Sequence, residues 1–156
     1  MRCVCRTVDA GESTLNMHHP VHTFATNAEL SQELAGRIAA DLAAALAQRK
    51  RAILAVSGGS TPRPLFEALS LQQLQWSRVI VTQVDERWVE DDHVDSNARL
   101  IKQYLLQNRA AAAEFLGMKT PDSSPFTAEA AVSAKLAPCA EGIDVVVLGM
   151  GDDGHT

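Results

Sequence analysis

The sequence has no basic block, few cysteines and no long apolar run, and each absence removes a class of function. Fourteen Lys and Arg stand against nineteen Asp and Glu, a net charge of −5. No stretch gathers the cations that nucleic acid or an anionic membrane surface would need. Three cysteines, Cys3, Cys5 and Cys139, are an odd number. Cys3 and Cys5 are also too close in sequence for an unstrained bridge, so no disulfide framework is expected and a reducing cytoplasm is the default. The N-terminus lacks the apolar core of roughly 7–15 residues that marks a signal peptide, and no run approaches the ~20 residues of a membrane span. Internal repeats and low-complexity segments are missing too. Residues 1–19 have no periodicity and read as a flexible leader. Cys3, Cys5, His18 and His19 could be assembled into a metal set on paper, but nothing in their spacing fixes a geometry.

What is present is an ordinary globular composition, 46% apolar and 21% charged, in a chain of 156 residues that fits one domain. Val21–Ala25 alternates weakly, as an edge strand does. Thr26-Asn27-Ala28-Glu29 matches a capping box. From there Leu30, Leu34, Ile38, Leu42 and Leu46 recur every fourth residue and predict one amphipathic helix, closed by Arg49, Lys50 and Arg51 at the negative end of its dipole. Ala52–Val56 and Arg78–Val84 read as buried strands, with a helix from Pro64 to Leu69 between them. Leu100, Ile101, Tyr104 and Leu105 form the inward face of a helix capped by Asp95 or Ser96. Residues 106–126 are mainly a connection, with a short strand at Glu114–Met118. An Ala-rich helix from Thr127 to Leu136 stops before Pro138, and Gly142 leads into Val145-Val146-Val147-Leu148, a run of four aliphatics that predicts a buried strand. Alternating strands and helices make an α/β fold, a Rossmann-like, mostly parallel sheet with helices on both faces.

Three strand ends carry chemistry. After the first sheet strand comes Ser57-Gly58-Gly59-Ser60-Thr61-Pro62, with Pro62 suited to the first turn of a helix and Ser60 or Thr61 to its cap. Strand, Gly-Gly turn and helix N-terminus is an arrangement that binds phosphate through outward amides, although a tight turn without a ligand has the same sequence. It is neither a Walker loop nor a dinucleotide fingerprint. After the second strand comes Asp85-Glu86-Arg87-Trp88, where Arg87 offers a planar fork for phosphate or carboxylate and a surface ion-pair cluster is the alternative. Asp91, Asp92, His93 and Asp95 are irregularly spaced and read as a solvated loop rather than a metal site. The last strand runs into Gly149-Met150-Gly151-Asp152-Asp153-Gly154-His155-Thr156, which delivers carboxylates and an imidazole to the carboxyl end of a strand.

Taken in order and at these separations, the three stretches, with Asp95-Ser96-Asn97, resemble the 6-phosphogluconolactonase family over roughly residues 20–156. The resemblance implies the α/β fold shared with glucosamine-6-phosphate deaminases and ribose-5-phosphate isomerases, a sugar-phosphate lactone as substrate, and no metal or organic cofactor. It implies that Ser57, Gly58, Gly59, Ser60 and Thr61 cradle the phosphate, that Arg87 meets the phosphate or orients the sugar acid, and that His155 is the general base. An imidazole with a pKa near ~6.5 suits that task. Asp153 would orient His155 or hold a substrate hydroxyl, and Asp85 is a further polar candidate on the facing loop. Family members continue past the His-Thr pair with Ala-Ser-Leu-Phe-Pro and about 80 more residues, still within one domain's range. Residues 20–156 are therefore expected to be the N-terminal two-thirds of one domain, catalytically crippled alone. An aminosugar-phosphate deaminase or isomerase on the same scaffold would show a tyrosine after Asp-Glu and an aliphatic after the His, where this chain has Arg87 and Thr156. A non-catalytic sugar-phosphate-binding module is the reading from a different class.

Overall fold

The computed structural model describes residues 2–4 and 21–149, with side chains from Val21 onward. Strand β1 (Arg2–Val4) pairs antiparallel with β2 (Val21–Thr23) in a separate two-stranded ribbon, so three residues of the expected leader are in regular structure. Helix α1 (Asn27–Gln48) begins where the Thr26 hydroxyl accepts from the Glu29 amide at 3.1 Å. Its Leu30, Ile38, Leu42 and Leu46 are buried, as the spacing predicts, together with Ala35 and Ala39, which let it sit close to its neighbours.

The end of α1 differs from expectation. Its last turn contains no basic residue, and Arg49 is already extended. The cation at this C-terminus is Arg78, which donates to the carbonyls of Leu46, Arg49 and Lys50. The local triplet is drawn elsewhere: Arg49 to Asp144 and Arg51 to Glu114. The carboxylates of Asp144 and Glu114 are stronger partners than the half-charge of a helix end that Arg78 already serves.

The main sheet has four parallel strands in the order β5-β4-β3-β6: β3 (Ala52–Val56), β4 (Val79–Gln83), β5 (Glu114–Leu116) and β6 (Val145–Val147). Helix α2 (Arg63–Ser70) joins β3 to β4, and α3 (Asn97–Tyr104) joins β4 to β5. The longer return to β6 carries α4 (Glu129–Lys135). Ala52, Leu54 and Val56 with Val79 and Val81 form one sheet face, and Leu42, Phe66, Leu69 and Ile101 from the helices pack on it. Ile53, Ala55 and Ile80 of the other face are also buried, which is why these two central strands read as unbroken apolar runs.

The strand at Val145 was expected to be buried and is not. Val145 and Val147 are half-buried against the helical side, while Val146 is 48% exposed and Leu148 56%. Four aliphatics in a row record what each residue could bury, not how many neighbours the strand has, and β6 lies at the sheet edge among the described residues. No helix among the described residues is long and apolar enough to cross a membrane.

Candidate functional site at the carboxyl end of the sheet

The chain moves from β3 to β4 to β5 in one direction and then returns to place β6 on the other side of β3. Loops leaving adjacent parallel strands toward opposite sides open a crevice at their carboxyl ends, where ligands bind in open α/β sheets. Here the described strand ends are Ser57 after β3 and Leu148–Gly149 after β6. They are tied at the root, since the Ser57 amide donates to the Val147 carbonyl at 3.0 Å. A side chain at Gly149 would start 3.7 Å from the Ser57 hydroxyl oxygen.

Among the described residues, the amides of Gly58, Gly59, Ser60 and Thr61 have no hydrogen-bond acceptor. Gly59 has φ +93°, which turns the loop at a position where any other side chain would be strained. The expected cap by Ser60 or Thr61 is not made. Pro62 occupies the cap position, and no side chain bonds to the first turn of α2. The reason is local: Pro62 and Pro64 fix the backbone entry to the helix, and Ser60 contributes only its carbonyl, which accepts from the Arg63 amide. Both hydroxyls stay on the exposed part of the loop.

On the other side of β3, the Asp85-Glu86-Arg87 segment leaves the sheet, and its three side chains divide their work. Glu86 turns back to the start of α3. Its carboxylate accepts from the Asn97 amide at 2.9 Å, the Ala98 amide at 3.0 Å, the Arg87 amide at 2.8 Å, the Ser96 hydroxyl and the Gln83 side-chain amide. Partial burial by itself raises the pKa of this carboxyl. The bonds from Asn97, Arg87, Ala98 and Gln83 outweigh it, so the group is held below its usual value. Ser96, as foreseen, is the formal cap and accepts from the Arg99 amide. Asp85 and Arg87 are both exposed and face each other at 3.5 Å, the ion pair weighed as an alternative to a ligand site. That pairing leaves the remaining donors of the Arg87 fork available to an anion.

Asn97 belongs to the motif quoted above but was given no role by the sequence. It is buried, its side-chain amide donates to the Asp85 carbonyl at 3.0 Å and to the Asp85 carboxylate at 3.2 Å, and it lies against Gly58. Glu86 was likewise unassigned. The spacing from Glu86 to Ser96, Asn97 and Ala98 spans a whole loop, so no local pattern announces it. Asp91 pairs with Lys102 at 2.6 Å and His93 faces Asp95 at 3.7 Å, all four side chains being exposed. Among the described residues, no group of three His, Cys, Asp or Glu converges on one point. Asp153 and His155, the expected orienting group and base, lie outside the described residues.

Comparison with known proteins agrees with this geometry. Residues 25–156 match the family described as glucosamine-6-phosphate isomerases/6-phosphogluconolactonase. The chain is 44% identical over 136 residues to a 6-phosphogluconolactonase of Pseudomonas aeruginosa, covering 87% of this chain and 57% of that protein. It is 46% identical to one of Rhizobium meliloti, covering 87% and 59%. Among solved structures, a 6-phosphogluconolactonase from Shewanella baltica superposes with a TM-score of 0.77 at 47% identity, covering 85% of this chain and 57% of that one. One from Trypanosoma brucei superposes at 0.69 with 26% identity, covering 86% and 60%. The chain thus spans a little under three-fifths of the length of the curated relatives it matches. With the Ser57–Pro62 and Asp85–Trp88 stretches at the carboxyl ends of adjacent parallel strands and the family match covering residues 25–156, this chain belongs to the glucosamine-6-phosphate isomerase/6-phosphogluconolactonase family.

Proposed function

We propose that this chain carries the phosphate-binding and base-bearing part of a 6-phosphogluconolactonase, which hydrolyses 6-phospho-D-glucono-1,5-lactone to 6-phospho-D-gluconate. The observation that supports it most is the set of amides at Gly58–Thr61 that have no partner among the described residues, beside the strand that leads into the Asp-Asp-Gly-His motif. Such amides, at the start of α2, suit the substrate phosphate, with the Ser57, Ser60 and Thr61 hydroxyls as further donors. Arg87 supplies a cation on the facing loop, partly neutralised by Asp85 until an anion competes for it. His155 takes a proton from water as its oxygen attacks the lactone carbonyl, and returns it to the ring oxygen when the C–O bond breaks. Asp153 orients the imidazole or holds a substrate hydroxyl, and Asp85 is the further polar group at the crevice. None of these steps calls on a metal or organic cofactor. A phosphorylated sugar as substrate suits a cytoplasmic location, and among the described residues Cys139 forms no disulfide.

The test has two arms. Titration with 6-phosphogluconate is expected to shift the amide resonances of Gly58–Thr61 first. Lactone hydrolysis by this chain is expected to fall far below that of a full-length relative, with any excess over the spontaneous rate lost in H155A. Shifts confined to other loops, or ammonia release from glucosamine 6-phosphate, would overturn the assignment.

A further inference from the structure

The two adjacent glycines at the crevice are required for different reasons, and the difference identifies a residue that holds the site together. Gly59 is needed for its backbone, with φ +93° and open space where a Cβ would point. Gly58 does not have a left-handed backbone. A Cβ there would stand 1.7 Å from the side-chain oxygen of Asn97 and 2.6 Å from its nitrogen. The neighbour is the plane of a buried amide, and that amide cannot swing aside freely. Its nitrogen is committed to the Asp85 carbonyl and carboxylate, and its backbone amide to Glu86. The residue sits at the first position of α3, 3% exposed, so its rotation is limited by packing as well.

We infer that Asn97 is a positioning residue: its buried side-chain amide holds the Gly58-Gly59 turn after β3 in register with the Asp85–Arg87 segment after β4. One face of the amide sets how closely the Gly58 backbone approaches, and its N–H groups set where Asp85 lies and therefore where Asp85 holds Arg87. Among the described residues, the Asn97 side chain meets Gly58 and Asp85. It acts through the two loops, which is the support a preorganised anion site needs. The inference rests on the reading of Gly58–Thr61 as the phosphate cradle for its functional consequence, but not for its structural one.

The experiment keeps these apart by measuring the full 156-residue chain with and without ligand. In the ligand-free protein, backbone order parameters at Gly58 and Gly59 are expected to fall in N97A from about 0.85 toward 0.6, the range separating rigid from flexible backbone. N97D, which keeps the volume against Gly58 and removes the donation to Asp85, is expected to disturb Asp85–Arg87 more than Gly58. If N97A fails to fold, as judged by amide dispersion from α1 and β3, N97D carries the test. The apparent Kd for 6-phosphogluconate should rise about tenfold in N97A, equivalent to ~1.4 kcal/mol. An asparagine that merely stabilises α3 would lower the urea midpoint and leave the order parameters and Kd of the folded protein unchanged, which would overturn the inference.

A second comparison uses the contact itself. G58A should weaken binding strongly alone and add little in the N97A background, because the amide it strikes is gone. Full additivity of the two substitutions would also overturn the inference. If the wild-type chain binds no 6-phosphogluconate while N97A still loosens Gly58 and Gly59, the phosphate reading fails and the positioning role stands. If binding occurs and N97A changes neither loop, the reverse holds.

Discussion

Replacing Glu86 with glutamine tests the junction on which the β4 side of the crevice depends. The substitution keeps the shape and exchanges one acceptor oxygen for an NH2 group. One carboxylate oxygen serves the Asn97 and Arg87 amides, and the other serves Ala98, Ser96 and Gln83. The least disruptive rotamer keeps the second set and turns the new NH2 toward the first. Water can take over the amide of exposed Arg87, but the Asn97 amide is buried and would lose its acceptor. An orphaned buried donor costs about 1–3 kcal/mol. Removing the negative charge from the N-terminal turn of α3 adds roughly 0.3–1 kcal/mol. The sum is about 2.5 kcal/mol at neutral pH, or a fall of ~1 M in the urea midpoint at a slope near 2 kcal/mol per M.

The charge also gives the substitution a pH signature. Because the folded protein holds the Glu86 carboxyl below its usual value, its contribution is fully present above the unfolded-state pKa, about 4.3 for glutamate. That contribution is lost as pH falls through the folded value. Wild type and E86Q should therefore differ most near neutrality and converge in acid, measured by urea unfolding across that range. An E86Q protein within ~0.5 kcal/mol of wild type at pH 7 would refute the reasoning, that being the scatter of ordinary surface substitutions. A difference unchanged by acid would refute the electrostatic part of it.

Two further substitutions probe the other side of β3 and the turn between. D144A removes a side chain 5% exposed that accepts from the Ile53 amide at 2.8 Å and pairs with Arg49, so a loss of about 3 kcal/mol is expected by urea unfolding. Hydrogen exchange should show faster opening at Val145–Val147 than at β4, and equal acceleration in both would count against a local role. G59A meets no neighbouring atom but forces a side chain into the left-handed region, for ~1–2 kcal/mol of destabilisation. Unlike G58A, its effect should add to that of N97A, and a strong interaction between the two would show that the distinction between the glycines is wrong.

How much of this was legible depends on how local each cause is. The stripe Leu30 to Leu46 and the Thr26 cap are properties of one segment, and they read correctly. The apolar runs at Ala52 and Val79 read correctly because a strand covered on both faces needs no alternation. The errors arise where the partner is far away in sequence. Arg78 closes α1 from beyond two intervening elements, which left Arg49 and Arg51 to Asp144 and Glu114. The Val145 run looks central because apolarity does not encode pairing order. Two of the candidate strand ends, after Val56 and after Gln83, stand where the sequence puts them, since Gly-Gly turns and clustered charges are local signals. The organisation of the site was not legible, because the reason for Gly58 lies in Asn97 and the reason for Glu86 lies at the start of another helix. Asp153 and His155 remain identified by sequence motif, as they lie outside the described residues.

These long-range partners share a pattern that bears on how the crevice works. β3 is flanked by β4 on one side and β6 on the other, and each flank is tied by a carboxylate meeting backbone amides. Glu86 fixes the start of α3 and with it Asn97, while Asp144 accepts from the Ile53 amide where β6 begins to pair. β6 is then fastened again at its far end by the Ser57 amide to the Val147 carbonyl. The loop amides of Gly58–Thr61 take part in none of these bonds. Order is thus supplied by Glu86, Asp144 and the Ser57 amide, and among the described residues the amides of Gly58–Thr61 keep their hydrogen-bonding capacity. An anion site organised this way meets its ligand without first breaking internal bonds, which is what makes preorganised donors effective. It follows that D144A and E86Q should weaken anion binding through displacement of opposite walls, whereas losing the Ser60 hydroxyl should weaken it without moving either wall.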